Sequence, residues 1–138
     1  MAEYKANLLK GSFVRAKNVI NSAGGSMEDS VCCSETEHIV GKWINGKTLY
    51  EKTVDCGALP AAGNKTISHG ITNLDCIYEI RGVAIRPNTS WYPLPFTTAG
   101  GNAIGVDVNS SSVVIRVGTT DYSNYTESYI TFRYTKTA

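Results

Sequence analysis

Two histidines, four cysteines and a scatter of carboxylates are the residues of this chain with reactive chemistry to offer, and their spacing decides of what kind. His38 and His69 fall in no H-E-x-x-H pattern and in no spacing that sets two imidazoles on one face, so metal catalysis lacks its ligands and neither metal nor other cofactor is expected. Cys32, Cys33, Cys56 and Cys76 contain no C-x-x-C, and the adjacent Cys32 and Cys33 cannot close an unstrained bridge with each other. The opening residues 1–10 carry no apolar signal region, so the even cysteine count is not read as a disulfide framework. All four are expected to be thiols packed as small hydrophobes, in a protein made in the cytoplasm. A Cys–His nucleophile pair through His69 is formally open, because such partners meet in space rather than in sequence. A lone histidine beside a glycine reads first as a turn or surface residue.

Carboxylates at Asp55, Asp75, Glu79, Asp107, Asp121 and Glu127 would serve glycoside hydrolysis only if two of them flanked a cleft and one had a raised pKa. Acids spread over strand faces and turns do not imply that, and the chain reads as a non-enzyme with no catalytic residue. Gly24-Gly25 and Gly100-Gly101-Asn102 match neither the P-loop nor the dinucleotide fingerprint, so they read as ordinary loops. Trp91, Tyr92, Tyr122 and Tyr125 are the candidates for binding: flat rings in turn-rich segments, beside Asn, Ser and Asp, suit stacking on a sugar face. The competing reading packs Trp91 and Tyr92 at a sheet edge or against another subunit. Asparagines 64, 88, 109 and 124 open N-x-(S/T) triplets that matter only in a secretory pathway.

With 13 Lys and Arg against 12 Asp and Glu, the net charge of +1 gives no field that would concentrate phosphates or anionic lipid. Nucleic acid is therefore not an expected partner, and no apolar run is long enough for membrane insertion. The 138 residues, 42% hydrophobic and 18% charged, suit one folded domain with a real core.

The elements that must hold these residues divide the chain in two. Residues 1–37 have no sustained period and contain the turn-like 21–26 stretch; they read as an N-terminal anchoring and oligomerisation arm. Within the arm, residues 3–10 suit one or two helical turns, and Val19-Ile20 suits part of a strand. Residues 38–138 switch to short β-type runs punctuated by Gly, Pro, Asn and Ser, which predicts an all-β, antiparallel β-sandwich, jelly-roll-like, of seven or eight strands. Asn45-Gly46 between two strand-like runs predicts a hairpin with a type I′ turn. Alternation through 74–85 places Leu74, Cys76, Tyr78 and Ile80 on the core face, with a bulge expected at Gly82. Two prolines confine 91–96 to an edge or a loop. Runs 103–108, 112–117 and 128–134 read as strands, the last with Ile130, Phe132 and Tyr134 inward.

Three stretches carry a family likeness. Residues 36–53, with Glu37, Val40-Gly41, Trp43, Asn45-Gly46-Lys47, Tyr50 and Lys52, resemble the E-x-x-V-G-x-W-x-(D/N)-G-K-x-(L/I/V)-Y-x-K opening of C-terminal β-domains in bacteriophage and prophage tail, baseplate and head-fibre structural proteins. His69-Gly70-Ile71 with Asn73-Leu74-Asp75 is similar to that family's H-G-I-x-N-(I/L)-D step, and residues 129–137 are similar to its closing Y-x-T-(I/L)-x-Y-T-K-T strand. The resemblance spans residues 36–138 and implies a virion structural protein of fibre, appendage or decoration type. It further implies a sandwich that assembles as a homotrimer, no catalytic residue, and contact with a host surface glycan as the alternative role. The short arm before the domain favours a compact virion protein docked by that arm to other virion proteins, at capsid, neck or baseplate, over the distal tip of a long fibre. Location in the virion, after synthesis in the bacterial host cytoplasm, follows from the same likeness.

Overall fold

The computed structural model describes residues 33–137. The helical turns at 3–10, the Val19-Ile20 strand, Cys32 and most of the arm lie outside the described residues. Nine strands are present among the described residues, in two antiparallel sheets. The first sheet holds β1 (His38–Lys42), β2 (Thr48–Asp55), β9 (Glu127–Lys136), β4 (Leu74–Arg86) and β5 (Ser90–Leu94), side by side in that order. The second runs β3 (Gly63–Ser68), β8 (Ser112–Gly118), β7 (Ala103–Val108) and β6 (Phe96–Thr97). The ladders β2–β9 and β3–β8 join early strands to late ones, the nesting expected of a jelly-roll-like path. Between them, β4–β5 and β6–β7–β8 turn back locally.

Alternation explains the core. On β8 the β-branched Val113, Ile115 and Val117 point inward, and on β9 Ile130, Phe132 and Tyr134 do the same, all nearly or wholly excluded from solvent. Val54, Leu59, Ala84, Leu94 and Ile104 complete the packed layer between the sheets. Full burial of such aliphatic and aromatic side chains contributes about 1.5–3 kcal/mol each, which makes this layer the main source of stability.

Several expectations from sequence need correction. The hairpin at Asn45-Gly46 exists, but its turn is not type I′. The Gly46 amide donates to the Trp43 carbonyl at 2.8 Å, and the Trp43 amide donates to the Lys47 carbonyl at 2.9 Å. Gly46 takes φ +85°, and Asn45 is not among the residues with positive φ. This is a three-residue loop in which glycine supplies the left-handed position after a turn.

On β4 the expected core face is broken. The register shifts between Leu74 and Cys76 and again between Ile77 and Glu79, so Asp75 and Tyr78 are the extra residues of two bulges. Leu74, Ile77 and Ile80 consequently pack on the core, Cys76 is exposed, and Tyr78 turns out to stack on Trp43 with ring centroids 4.1 Å apart. Gly82, where a bulge was expected, pairs regularly with Ile130 and Leu94. Its lack of a side chain answers a close approach: a Cβ there would lie 2.5 Å from both Ile130 Cδ1 and the Tyr129 carbonyl oxygen.

The proline-bearing segment does form an edge, β5, and the chain then crosses at Pro95 to β6 in the other sheet. β3 has no counterpart among the sequence-read strands, because its Gly, Asn, Lys, Thr and Ser leave Ile67 as its one apolar residue.

Candidate functional site

One lateral row of the first sheet sets charged and titratable side chains next to one another. The pairing register places His38 of β1 beside Glu51 of β2, Glu51 beside Arg133 of β9, and Arg133 beside Glu79 of β4. These side chains share the sheet face opposite the core, where the Glu51 carboxylate is wholly excluded from solvent. Its Oε2 accepts from Arg133 Nε at 2.9 Å and Arg81 Nη2 at 3.2 Å; its Oε1 accepts from the Cys33 amide at 3.1 Å and lies 3.5 Å from His38 Nε2. Arg81 is shared with Glu79 through a second ion pair. Burial pushes the Glu51 carboxyl up, but the Arg133, Cys33 and Arg81 donors outweigh it and hold the group below the usual carboxylate range. A carboxylate so fully engaged organises a sheet face; it is poorly placed to accept a proton from a substrate.

A second cluster joins the three stretches that carry the family likeness. Glu37 accepts from Tyr134 Oη at 2.5 Å and from Lys136 Nζ at 2.9 Å. Lys136 in turn sits 5.3 Å from the centre of the Tyr50 ring, which stacks on Tyr134. Asp75 accepts from Lys47 Nζ at 2.5 Å and Thr135 Oγ1 at 3.0 Å, and Lys52 Nζ donates to the His69 carbonyl at 2.5 Å. The Thr137 amide closes the set on the Asn73 carbonyl at 2.8 Å. Residues separated by up to 99 positions along the chain thus meet through these contacts.

Several of the reactive residues singled out from sequence are engaged in the fold. His69, expected at a turn or on the surface, is buried: its Nδ1 accepts from the Ile71 amide at 3.1 Å, leaving Nε2 to donate to the Asn109 carbonyl at 2.9 Å. Neither ring nitrogen is left to activate a thiol. Cys56 is the one described cysteine that packs as a small hydrophobe; burial pushes its thiol up to about 11, against thiolate chemistry. Cys33 and Cys76 are exposed, contrary to expectation. Asp107 pairs with Arg116 at 2.6 Å, Asp121 accepts from the Ser123 amide at 2.8 Å, and Asp55 from the Gly57 amide at 2.9 Å. Among the described residues no group of three or more His, Cys, Asp or Glu side chains could hold a metal ion. No helix among them is long and apolar enough to cross a membrane.

The aromatic candidates separate. Tyr122 and Tyr125, read from sequence as loop rings, are core residues only 7% and 6% exposed, so neither offers a face to a sugar. Tyr125 Oη hydrogen-bonds Ser90 Oγ at 2.7 Å. Tyr92 is stacked between Phe96, at 4.0 Å, and Tyr125, at 4.8 Å, which seals the corner where β5 leads into β6. Trp91 alone of the four projects, 62% exposed, on edge strand β5 beside its ladder partner Ile85. Farther along the same outer face lies a shallow groove of about 390 Å³ between Arg81, Val83, Tyr129 and Thr131.

Glu51 was not among the acids singled out in the sequence. Its signal was present in retrospect: Arg81 and Arg133 stand at outward positions of strands that pair near it, but only the register reveals that they converge. These features define an antiparallel β-sandwich with an ion-paired row on its outer face. No protein-family model, characterised protein or solved structure matches the chain.

Proposed function

We propose that this chain is a non-catalytic structural protein of a bacteriophage particle, of fibre, appendage or decoration type. In this reading the N-terminal arm docks to other virion proteins, and the β-sandwich projects from the particle as a homotrimer. The observation that carries the reading is the direct contact that each of three separately recognised stretches makes with the other two. Glu37, Asp75, Lys52, Tyr134 and Lys136 come from all three family-like motifs, and each contacts a residue from another motif. Motif residues that hold one another are what a shared structural module requires, whereas a shared catalytic module would direct them at an open cleft. The engagement of His69, Cys56 and Glu51 described above supports the same side. Light scattering on the purified full chain tests the assembly: a mass of three chains is expected, and a strict monomer at high concentration contradicts the trimer.

Trp91 favours one second reading, a carbohydrate-binding role in host adsorption. An exposed indole on an edge strand, beside its ladder partner Ile85, suits stacking on a sugar ring. Binding to host surface glycans that survives Trp91→Ala would remove this reading.

A further inference from the structure

The five residues that lead into β1 are fastened to the first sheet without apolar anchorage. Residues 33–37 read Cys-Ser-Glu-Thr-Glu, and none belongs to the packed core. At one end the Cys33 amide is held by Glu51 Oε1, on the outer face. In the middle the Thr53 amide of β2 donates to the Ser34 carbonyl at 2.8 Å. At the other end Glu37 is held by Tyr134 Oη and Lys136 Nζ, whose side chains lie on the core side of β9. The segment therefore runs along β2 past the point where the β1 ladder ends at Glu51, and a carboxylate secures it on each face of the sheet.

We propose that residues 33–37 form a proton-operated clasp: protonation of Glu37 and Glu51 detaches this segment from β2 while the sandwich stays folded. A protonated Glu37 loses the charge that draws the Lys136 ammonium and the charge-assisted bond from the Tyr134 hydroxyl, so its hold on both is weakened. A protonated Glu51 likewise cannot satisfy the Cys33 amide together with two guanidinium groups. The charged and titratable groups facing Glu37 are Tyr134 and Lys136 of β9 and Lys52 and Tyr50 of β2. Those facing Glu51 are Arg133 of β9, Arg81 of β4 with its partner Glu79, His38 of β1 and Cys33. All the cations in both sets favour the ionised carboxylates, so the clasp is closed at neutral pH and opens on the acid side. The layer of Val113, Ile115, Ile130 and Phe132 contains no group that titrates there, and it holds the sheets together after the clasp opens.

Hydrogen exchange on the full chain reads this directly, with the Thr53 amide reporting the clasp and the Val113 and Ile115 amides reporting the sandwich. Between about pH 7 and pH 3, the Thr53 protection factor is expected to fall at least about tenfold before those of Val113 and Ile115 change. Glu37→Gln, at a partly exposed position, is expected to lower Thr53 protection by about the same factor at neutral pH with Val113 protection intact. Glu51→Gln should do likewise; because that site is buried, Glu37→Gln alone decides the matter if Glu51→Gln does not fold. Thr53 protection that persists until Val113 and Ile115 exchange, or that is unchanged in Glu37→Gln, overturns the proposal.

Discussion

Gly82 and Gly46 are both fixed as glycine, for unlike reasons, and the two substitutions to alanine separate those reasons. At Gly82 the backbone is ordinary and the obstacle is steric: a methyl group would press on the Tyr129 carbonyl, which is backbone and cannot swing aside. Gly82→Ala is expected to destabilise by about 1–3 kcal/mol or more, seen as a lower urea midpoint. At Gly46 a methyl group would meet nothing within 4 Å, and the cost comes from φ +85° alone. Gly46→Ala should therefore cost only about 1 kcal/mol in the same measurement. Truncating the wholly buried Phe132 to alanine should cost about 3–5 kcal/mol, the scale of a lost aromatic in a packed core. At this scale the sequence revealed which residues on β9 face inward, because alternation there is unbroken. It did not reveal that Tyr122 and Tyr125 are buried: Asp, Ser and Asn around them mark a turn, and the turn joins the core through contacts distant in sequence, Tyr92 on the Tyr125 ring and the Leu59–Pro60 backbone on both residues.

Elements are where local pattern and pairing part company. The alternation of β4 reads as a regular strand through Cys76 and Tyr78, yet two bulges within its first turn of pairing shift those side chains off the core. The bulges show only in the pairing of β4 with β9, which the alternation of β4 alone does not display. Tyr78, displaced in this way, clamps Trp43 and ties the β1–β2 hairpin to β4. A double-mutant cycle on Trp43→Ala and Tyr78→Ala is expected to show a coupling of about 0.5–1.5 kcal/mol by urea denaturation; additivity would mean the stack contributes nothing beyond burial. The sheet edges are blunted in separate ways: a register shift on β1, Pro93 on β5, two-residue length on β6, and the inward-facing Lys65 on β3, whose Nζ reaches the Ala58 carbonyl. Such edges resist strand addition, which directs association to faces and loops.

For the whole molecule, charge sets the pH response. The carboxyls of Glu37, Glu51 and Asp75 all lie below their ordinary values in the folded state. Groups lowered by folding stabilise above their unfolded pKa, and that stability is lost as pH falls through the folded values. The urea midpoint should hold steady from about pH 8 to pH 6 and decline below about pH 4.5, where unfolded carboxylates begin to protonate. A midpoint that rose on acidification would contradict the ion-pair assignments. The all-β class was legible from composition and turn spacing, since the two sheets need only short alternating runs. The ion-paired face was not, because it depends on which strands become neighbours. Quantitative mass spectrometry of gradient-purified phage particles tests the virion role most directly. A fixed, symmetry-related copy number in the particles is the expected result, and abundance in the lysate with absence from the particles would contradict it.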